Sequence, residues 1–359
     1  MRVAVRLHEV RITDDGRVGG HDAGATLVRR LLRVFPGAQV IGSPARQAQD
    51  FAVVPLAQVR GAVVVNMDVL DSTCLWRSLR RHDPEPHLMN FVWLAPAMYD
   101  HSVELASLAL SCALFPTFCN SERTATEVRE TIDRWTAPHL SGRARIAWVN
   151  LGVRLDHARP RREPAVPVVL YPAITVTERM RPALFHDVVE RVAARTPIHV
   201  EARLEESQLV TEHAMALSRR PWAWVGPLTA SRQTYWEHLA RTTAFLATAE
   251  EESYGLEYVE ALVAGAVGVF PDRAWVWALV PPGYPFVYRD AVEAEALLFR
   301  AVTEPGRCRA ELDRAAGGDF RAWMHAHHSD DTFDRAVQHW VREWFGTTTS
   351  AAGSRLAPG

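Results

Sequence analysis

Short apolar runs alternate with segments of helical periodicity along most of this chain. In its first half the apolar runs lie at 1–10, 38–41, 51–54, 61–65, 87–94, 114–119 and 145–149, and helical segments at 72–81, 100–112 and 121–134 separate several of them. Short, bounded apolar runs are typical of buried parallel strands. The alternation therefore predicts a parallel sheet covered by helices, which is the doubly wound α/β class.

The alternation stops at residues 157–167, HARPRREPAVP, and then resumes. This stretch is rich in Pro and Arg and has no periodicity, which is typical of a linker. Because 359 residues suffice for two ordinary domains, we predict an α/β domain on each side of it. The predicted parts are a first domain at 1–157, a linker at 158–167, a second domain at 168–330, a closing helix at 331–346 and a disordered tail at 347–359.

The stretch from 244 to 270 carries most of the chemistry of the second domain. An apolar run at 244–249 leads into a loop with three consecutive glutamates, and a segment of helical periodicity follows. Gly255 opens this helix, where free N–H groups and the helix dipole favour an anion such as a diphosphate. Glu252 in the loop and Glu260 on the second turn can face one pocket, where carboxylates suit the hydroxyls of a sugar or a ribose. The general preference of acidic residues for helix N-termini is the alternative explanation for each carboxylate.

This combination resembles the E-x7-E signature of the retaining nucleotide-sugar glycosyltransferases of family 4. In that family Glu-x-Phe-Gly, a helix and a second Glu close over the donor sugar, and here Glu252-Ser253-Tyr254-Gly255 and Glu260 stand in those places. The resemblance implies a GT-B fold, with two Rossmann-like parallel-sheet domains that face each other across a cleft. It also implies a C-terminal helix that crosses back to the first domain, and a retaining hexosyl- or pentosyltransferase activity.

The resemblance assigns donor roles to the signature residues. Glu252 would contact the sugar hydroxyls as the implied catalytic residue, and Glu260 would bind the ribose. The backbone at Gly255 and Leu256 would bind the diphosphate, and Tyr254 is implied as a further donor-binding residue. No nucleophilic carboxylate is then required, because the leaving diphosphate can accept the acceptor proton on the same face of the sugar.

A second implied feature is the diphosphate clamp. In the resembled family, the loop after the first strand of the second domain carries Gly-Arg followed by Lys, which grip the diphosphate. Here Pro172-Ala173-Ile174 replaces the Gly-Arg part, and Arg179, with Arg181 as a second candidate, falls where the Lys is expected. An Arg can bind phosphate bidentately, and a solvated loop Arg is the alternative. Gly226 falls at the carboxyl end of another predicted strand, where such sheets bind ligands.

The first domain carries two candidate features. Gly19 and Gly20 lie in the loop after the first strand, where a Gly-Gly turn would let a donor diphosphate or an acceptor approach the backbone. Their spacing is not G-x-G-x-x-G, so a dinucleotide site is not supported, and a flexible loop is the alternative. Asp100 and His101 follow the strand at 87–94, and we predict both as catalytic residues at the acceptor side because His suits proton transfer near neutral pH. A helix N-cap role for Asp100 is the alternative.

We predict a small molecule or a glycan as the acceptor. A base in modified DNA or tRNA is an alternative, because Trp275 and Trp277 can stack on a base, although they fit the core as well. The first 162 residues hold 21 Arg against 16 Asp and Glu, but the net charge of −2 for the whole chain argues against nucleic acid. The altered loop at 172–174 leaves a catalytically inactive nucleotide-sugar-binding subunit as another alternative, and the fold also hosts phosphorylases and epimerases.

No cofactor or metal is predicted, and the nucleotide-diphosphate sugar is the co-substrate. No Asp-x-Asp lies at a predicted strand end, which favours a metal-independent transferase. His325, His327 and His328 lie close to Asp330 and Asp331. We interpret them as helix capping and solvated surface rather than as metal ligands. The four scattered Cys fit reduced core thiols.

The sequence predicts no membrane span and a cytoplasmic location. Arg2 is followed by a strand pattern and not by the apolar core of a signal peptide. The apolar run at 103–119 is interrupted by Glu104 and Pro116 and is too short to cross a bilayer.

Overall fold

The computed structural model describes residues 2–8, 10–20, 22–228 and 231–346. The chain divides into two compact units: unit 1 comprises Met1–Asn120, Thr124–Trp148 and Asp334–Gly359, and unit 2 comprises Ser121–Arg123 and Val149–Phe333. The division falls at Trp148 and Val149, whereas the sequence predicted a first domain that ends at 157. The predicted disordered tail at 347–359 lies outside the described residues.

Unit 1 is an α/β unit built on one eight-stranded sheet. Its elements are β1 (Arg2–Arg6), α1 (Ala23–Val34), β2 (Gln39–Ile41), β3 (Arg46–Gln47), β4 (Ala52–Val54), β5 (Ala62–Asn66), α2 (Ser72–Leu79), β6 (His87–Val92), α3 (Ser102–Leu114), β7 (Thr117–Cys119), α4 (Glu122–Trp135), α5 (Pro138–Ser141) and β8 (Ile146–Trp148). The first two residues of α4, Glu122 and Arg123, belong to unit 2. The strand order is β3-β4-β2-β1-β5-β6-β7-β8, and neighbours are parallel apart from β3 and β4. The structure therefore confirms the parallel sheet that the alternating pattern predicted.

Unit 2 repeats this architecture on a six-stranded sheet. Its elements are β9 (Val168–Tyr171), α6 (Pro182–Ala193), β10 (His199–Leu204), α7 (Glu212–Ser218), β11 (Ala223–Pro227), α8 (Arg232–Leu239), β12 (Ala244–Leu246), α9 (Leu256–Val263), β13 (Val267–Pro271), α10 (Ala274–Trp277), β14 (Val287–Tyr288), α11 (Ala291–Thr303), α12 (Pro305–Ala315) and α13 (Phe320–His328). The order is β11-β10-β9-β12-β13-β14, and neighbouring strands are parallel. The order reverses between β9 and β12, and such a switch point opens a ligand crevice at the carboxyl ends of the strands.

The last helix, α14 (Asp330–Phe345), packs on unit 1 from Asp334 onward. The Asp334 carboxylate accepts from Arg33 at 2.8 Å and from the buried Arg30 at 3.3 Å. Further along, the Gln338 side chain donates to the Val34 carbonyl at 2.8 Å. The chain thus leaves unit 1 after Trp148 and returns to it at Asp334, which confirms the predicted return of the closing helix.

Replacing Asp334 by Ala is expected to destabilise the protein by about 2 kcal/mol, because the Arg30 side chain is 9% exposed and would lose this carboxylate. Urea unfolding measures the loss. Asp331→Ala on the same helix is the matched control, since Asp331 is exposed and is expected to change stability by a few tenths of a kcal/mol. Equal effects of the two substitutions would contradict a specific role of the Asp334 ion pairs.

Candidate functional site

The switch point of unit 2 brings together the loops that follow β9 and β12. The Thr248 hydroxyl donates to the Met180 carbonyl at 2.5 Å, and the Glu250 backbone N–H donates to the Arg179 carbonyl at 3.1 Å. A small surface depression lies between these loops and is lined by Tyr171, Pro172, Ala173, Met180, Thr248, Ala249 and Tyr258. These two hydrogen bonds therefore connect the loop with the candidate phosphate-binding arginines to the loop that leads into the glutamates.

Gly255 begins the turn into α9 in a left-handed conformation, with φ of 74°. A side chain at this position would meet the Tyr258 ring, so the close approach as well as the positive φ requires glycine. Tyr258 in turn stacks on Trp275 with ring centroids 5.2 Å apart. This packing fixes the first turn of α9, whose initial residue, Leu256, presents its backbone N–H at the helix start.

The aromatic packing shows which of Trp275 and Trp277 belongs to the core. Trp275 is 2% exposed and belongs to the core beneath α9. Trp277 is 43% exposed, and its indole N–H donates to Asp272 at 3.0 Å. The loop that suggested a nucleic-acid base as acceptor thus places one of its two Trp side chains in the protein interior.

Glu252 lies half-buried in the loop before α9. Its carboxylate accepts from the Tyr258 hydroxyl at 3.4 Å, and its backbone carbonyl accepts from Arg123 at 2.6 Å. Burial, with the charge of Glu257 as the next largest cause, raises the pKa of the Glu252 carboxyl to about 8. This carboxyl is therefore mostly protonated at neutral pH and can donate one hydrogen bond as well as accept others.

Glu257 is a carboxylate that the sequence reasoning did not single out. It lies in the first turn of α9, half-buried, and burial raises the pKa of its carboxyl to about 7, with a further contribution from Glu260. The signal was present in the sequence, since Glu257 lies between the two signature glutamates. Glu257 is therefore close enough to interact with Glu252 and with Glu260 at the start of α9.

Glu260 is buried on the second turn of α9, with 5% of the residue exposed. Its carboxylate forms an ion pair with the guanidinium of Arg232, the first residue of α8. Arg232 is a second residue that the sequence reasoning missed, because a residue pattern shows that it begins a helix but not which side chain it faces.

Tyr254 points into unit 2, toward the turn after β8. Its hydroxyl accepts from the Gly152 backbone N–H at 2.9 Å and lies 2.6 Å from His328 Nδ1. His328 Nε2 lies 3.0 Å from the Leu279 carbonyl, which can only accept, so Nε2 carries the proton and Nδ1 accepts from Tyr254. The Tyr254 phenol thus links its own loop to the turn at Gly152 and to the end of α13, and a contact between Tyr254 and the donor stays a prediction.

The structure corrects the expectation of a solvated surface for His328, which is fully buried in this network. His328 can be buried because both of its ring nitrogens have hydrogen-bond partners. His327, in contrast, is exposed, and its Nδ1 lies 2.8 Å from the Trp323 carbonyl. Among the described residues, no group of three His, Cys, Asp or Glu side chains is placed to hold a metal ion.

Stability is expected to fall as the pH drops below about 6.5, because burial lowers the pKa of His328 to about 4. Below pH 6.5, the ordinary pKa of histidine, His328 becomes protonated in the unfolded chain but stays neutral in the folded protein. This term is worth about 2 kcal/mol between pH 7 and pH 5. Urea unfolding of wild type and His328→Gln at both pH values isolates it, and parallel pH dependences in the two proteins would contradict it.

The two candidate arginines of the clamp lie at a single 3-10 turn, Glu178–Met180, and at the residue that follows it. Arg179 is half-buried in the turn. Arg181 is exposed, adopts a left-handed backbone with φ of 47°, and places its Nε 3.7 Å from the Glu250 carboxylate. A non-glycine residue held at positive φ carries backbone strain, which concentrates at functional sites. A diphosphate contact from either arginine stays a prediction.

Gly226 lies inside β11, one residue before its end. A side chain on it would collide with the Trp224 ring, which in turn carries the Arg203 guanidinium 4.7 Å from its centroid. Packing of Trp224 therefore explains the glycine, and a donor contact at Gly226 is untested.

The Gly-Gly loop of unit 1 is held by hydrogen bonds. The Gly19 N–H donates to the Arg11 carbonyl at 2.8 Å, and the Gly20 carbonyl accepts from Arg29 at 2.8 Å. Gly20 has φ of 90°, which explains glycine at that position. This loop is thus a defined turn, and the approach of a ligand to its backbone stays a prediction.

Asp100 and His101 are both exposed and lie directly before α3. The helix begins at Ser102, so its N-cap is His101 and not Asp100, which corrects the alternative considered for Asp100. The Glu104 carboxylate accepts from the His101 backbone N–H at 3.2 Å. The His101 backbone is therefore fixed at the helix start, and its predicted catalytic role is untested.

A charged cluster that the sequence did not reveal lies at the carboxyl ends of β1 and β5 in unit 1. Arg6 donates to Asp71 at 2.6 and 2.9 Å and to Asp68 at 3.2 Å. Asp68 also accepts from the His8 backbone N–H at 2.6 Å, and burial raises the pKa of its carboxyl. The positive charge of Arg6 is thus balanced by Asp68 and Asp71. Through the His8 N–H, the cluster also fixes the start of the loop that carries Gly19 and Gly20.

No helix in the described part of the chain combines the length and the apolar character needed to cross a membrane.

Comparison with known proteins gives a result at the level of structure. No protein-family model matches the sequence, and no curated protein is detectably similar to it. Among solved structures, a sucrose-phosphate synthase from Thermosynechococcus elongatus matches with a TM-score of 0.71 at 12% identity, over 96% of this chain and 99% of that one.

Two further solved structures also match over nearly the whole of both chains. A UDP-forming α,α-trehalose-phosphate synthase from Burkholderia xenovorans matches with a TM-score of 0.68 at 10% identity, over 95% of this chain and 98% of that one. HepE from Anabaena, solved with UDP and glucose, matches with a TM-score of 0.68 at 11% identity, over 96% of this chain and all of that one. The chain therefore has the fold of GT-B glycosyltransferases, with two Rossmann-like units each built on a parallel sheet.

Proposed function

We propose that this chain is a retaining, metal-independent glycosyltransferase that takes its sugar from a nucleotide-diphosphate sugar. One observation carries the proposal: Glu252, the glycine-opened helix α9 and the buried Glu260 lie together at the switch point of the unit 2 sheet. Ligands of parallel sheets bind at that point, and a helix N-terminus there receives an anion. The resemblance to glycosyltransferase family 4, which rests on the same residues, agrees with this assignment.

The donor's three parts would meet three different groups. The N–H groups at the start of α9 receive the diphosphate, together with Arg179 or Arg181. Glu252 contacts hydroxyls of the transferred sugar, and its mostly protonated carboxyl can both donate and accept hydrogen bonds. Glu260, which is buried and ion-paired, accepts from the ribose. Uridine diphosphate is the first nucleotide to test, because one structural neighbour is UDP-forming and another was solved with UDP.

Transfer follows from this arrangement without a protein nucleophile. The bond between the anomeric carbon and the diphosphate oxygen breaks, and the acceptor oxygen bonds to that carbon on the same face. The acceptor proton passes to the leaving diphosphate, whose developing charge is stabilised by the start of α9 and by the loop arginines. We propose a small molecule or a glycan as the acceptor. Burial of Trp275 removes one of the two stacking residues that had suggested a nucleic-acid base.

A thermal-shift screen with UDP-, ADP-, GDP- and dTDP-sugars tests the donor. A ligand at 100 times its dissociation constant adds about 2.7 kcal/mol of stability, which is a shift of several degrees at most. We expect one nucleotide class to raise the melting temperature. With that nucleotide sugar as donor, we expect NMR of the product to show that the anomeric configuration of the transferred sugar is retained. Absence of stabilisation by every nucleotide sugar would contradict the proposal, and an inverted product would contradict the retaining mechanism.

A further inference from the structure

Arg232 and Glu260 form a two-point ion pair between α8 and α9. Glu260 Oε1 contacts Arg232 Nη2, and Oε2 lies 3.5 Å from Nη1, so each carboxylate oxygen faces one nitrogen of the guanidinium. The two partners differ sharply in exposure, because the Glu260 side chain is 7% exposed and the Arg232 side chain is 49% exposed. The arginine therefore reaches from the surface to a carboxylate inside the protein.

Aromatic side chains of α8 hold the guanidinium in place. The Arg232 Cζ lies 5.2 Å from the ring centroid of Tyr235 and 5.9 Å from that of Trp236. Trp236 is fully buried, and Ser231 caps the helix by accepting from the Thr234 N–H at 3.3 Å. A guanidinium that rests on fixed rings loses little freedom when it binds a carboxylate bidentately. The guanidinium carried by α8 therefore orients the Glu260 carboxylate of α9.

The number of acceptor positions on Glu260 decides what it can still bind. An ionised carboxylate has about four lone-pair positions. Arg232 occupies one on each oxygen, and the Tyr235 phenol, which is close enough to interact with Glu260, can take a third. At least one position remains, and its direction is fixed by the two-point contact with Arg232.

We propose that Arg232 is a positioning residue for nucleotide recognition, which holds the Glu260 carboxylate turned so that its remaining lone pair meets one ribose hydroxyl. This inference rests on the proposed function, because it assumes that Glu260 binds the ribose of a nucleotide. It adds a residue from another helix and gives the ion pair a role in telling ribose from deoxyribose. A purely structural ion pair would instead affect folding and leave this discrimination unchanged.

Isothermal titration with UDP, 2′-deoxy-UDP and 3′-deoxy-UDP tests the inference. We expect the wild type to bind UDP at least about tenfold more tightly than one of the two deoxy analogues, since a lost charged hydrogen bond is worth at least that factor. Arg232→Gln is expected to bring this preference below about threefold, and Arg232→Lys, which keeps the charge but not the two-point contact, to give an intermediate value. Glu260→Gln is expected to lose the preference, and adding Arg232→Gln to it is expected to change little further.

Arg289→Gln is the matched control, because Arg289 also forms an ion pair in unit 2 but is itself largely exposed and pairs with the half-buried Glu293. It is expected to keep the wild-type preference. An Arg232→Gln protein that melts normally and still prefers UDP as the wild type does would overturn the inference while leaving the proposed function intact. If Arg232→Gln does not fold, an unchanged preference in Arg232→Lys overturns it equally. If the thermal-shift screen selects another ribonucleotide, its own 2′- and 3′-deoxy analogues replace those of UDP. A wild type that binds no nucleotide diphosphate contradicts the proposed function itself, and a wild type that binds the nucleotide and both deoxy analogues equally contradicts the ribose contact.

Discussion

Replacing Glu252 by Ala is expected to lower kcat/KM for sugar transfer by about 100- to 1000-fold, the range seen when one group that stabilises a transition state is removed. The Glu252 carboxyl is half-buried next to Tyr258 and close to the start of α9, where the proposed donor sugar lies. The melting temperature is expected to change little or to rise, because the substitution removes a carboxyl whose ionisation burial opposes. The measurement is the rate of product formation with the nucleotide sugar that stabilises the wild type.

Two further variants sharpen this result. Glu252→Gln keeps the shape and the donor capacity of the protonated acid, so it is expected to retain more activity than Glu252→Ala. Glu304→Ala is the control, because Glu304 is a carboxylate of the same unit on an exposed ion pair with Arg307. Full activity in Glu252→Ala would show that Glu252 does not contact the reacting sugar.

Replacing Gly152 by Ala is expected to destabilise the protein by about 3 kcal/mol, which is in the range of severe substitutions that force the backbone to move. Gly152 has φ of 62°, and an added Cβ would lie 2.6 Å from the Ser329 carbonyl carbon and 2.7 Å from the His328 carbonyl oxygen. These are backbone atoms, which cannot rotate away. A shift of this turn would also separate the Gly152 N–H from the Tyr254 hydroxyl.

Gly283→Ala separates the two causes of this loss. Gly283 has a similar φ of 78°, but an added Cβ there meets nothing within 4 Å. It is therefore expected to cost only the left-handed conformation, about 1 kcal/mol. Urea unfolding of both variants gives the difference, and equal losses would mean that the contact with residues 328 and 329 imposes no strain.

The sequence predicted the two sheets well because their central strands are buried on both faces and therefore read as bounded apolar runs. The elements that it missed lack this signal. β3 (Arg46–Gln47) consists of two exposed polar residues at a sheet edge, and α13 (Phe320–His328) mixes aromatic residues with histidines and gives no clean apolar stripe. Their positions depend on neighbours that are distant in the sequence.

The candidate site was predictable to the extent that it is local. Glu252, Gly255 and Glu260 lie within one loop and helix, so spacing alone brings them together. Arg232 is 28 residues from Glu260, and His328 is 74 residues from Tyr254, and only the folded chain shows these pairs. The burial that raises the pKa of Glu252 and lowers that of His328 is likewise a property of the packed structure.

The return of α14 to unit 1 has a consequence for how the chain can fold during synthesis. The ribosome completes β8 at Trp148, but the Asp334 carboxylate that pairs with Arg30 and Arg33 is made only after all of Val149–Phe333. Domains usually fold as they emerge, in order from the N-terminus. Here α1 cannot gain its ion pairs with Asp334 until Val149–Phe333 has been made. We therefore expect a chain that is paused or truncated between these points to have a less stable unit 1.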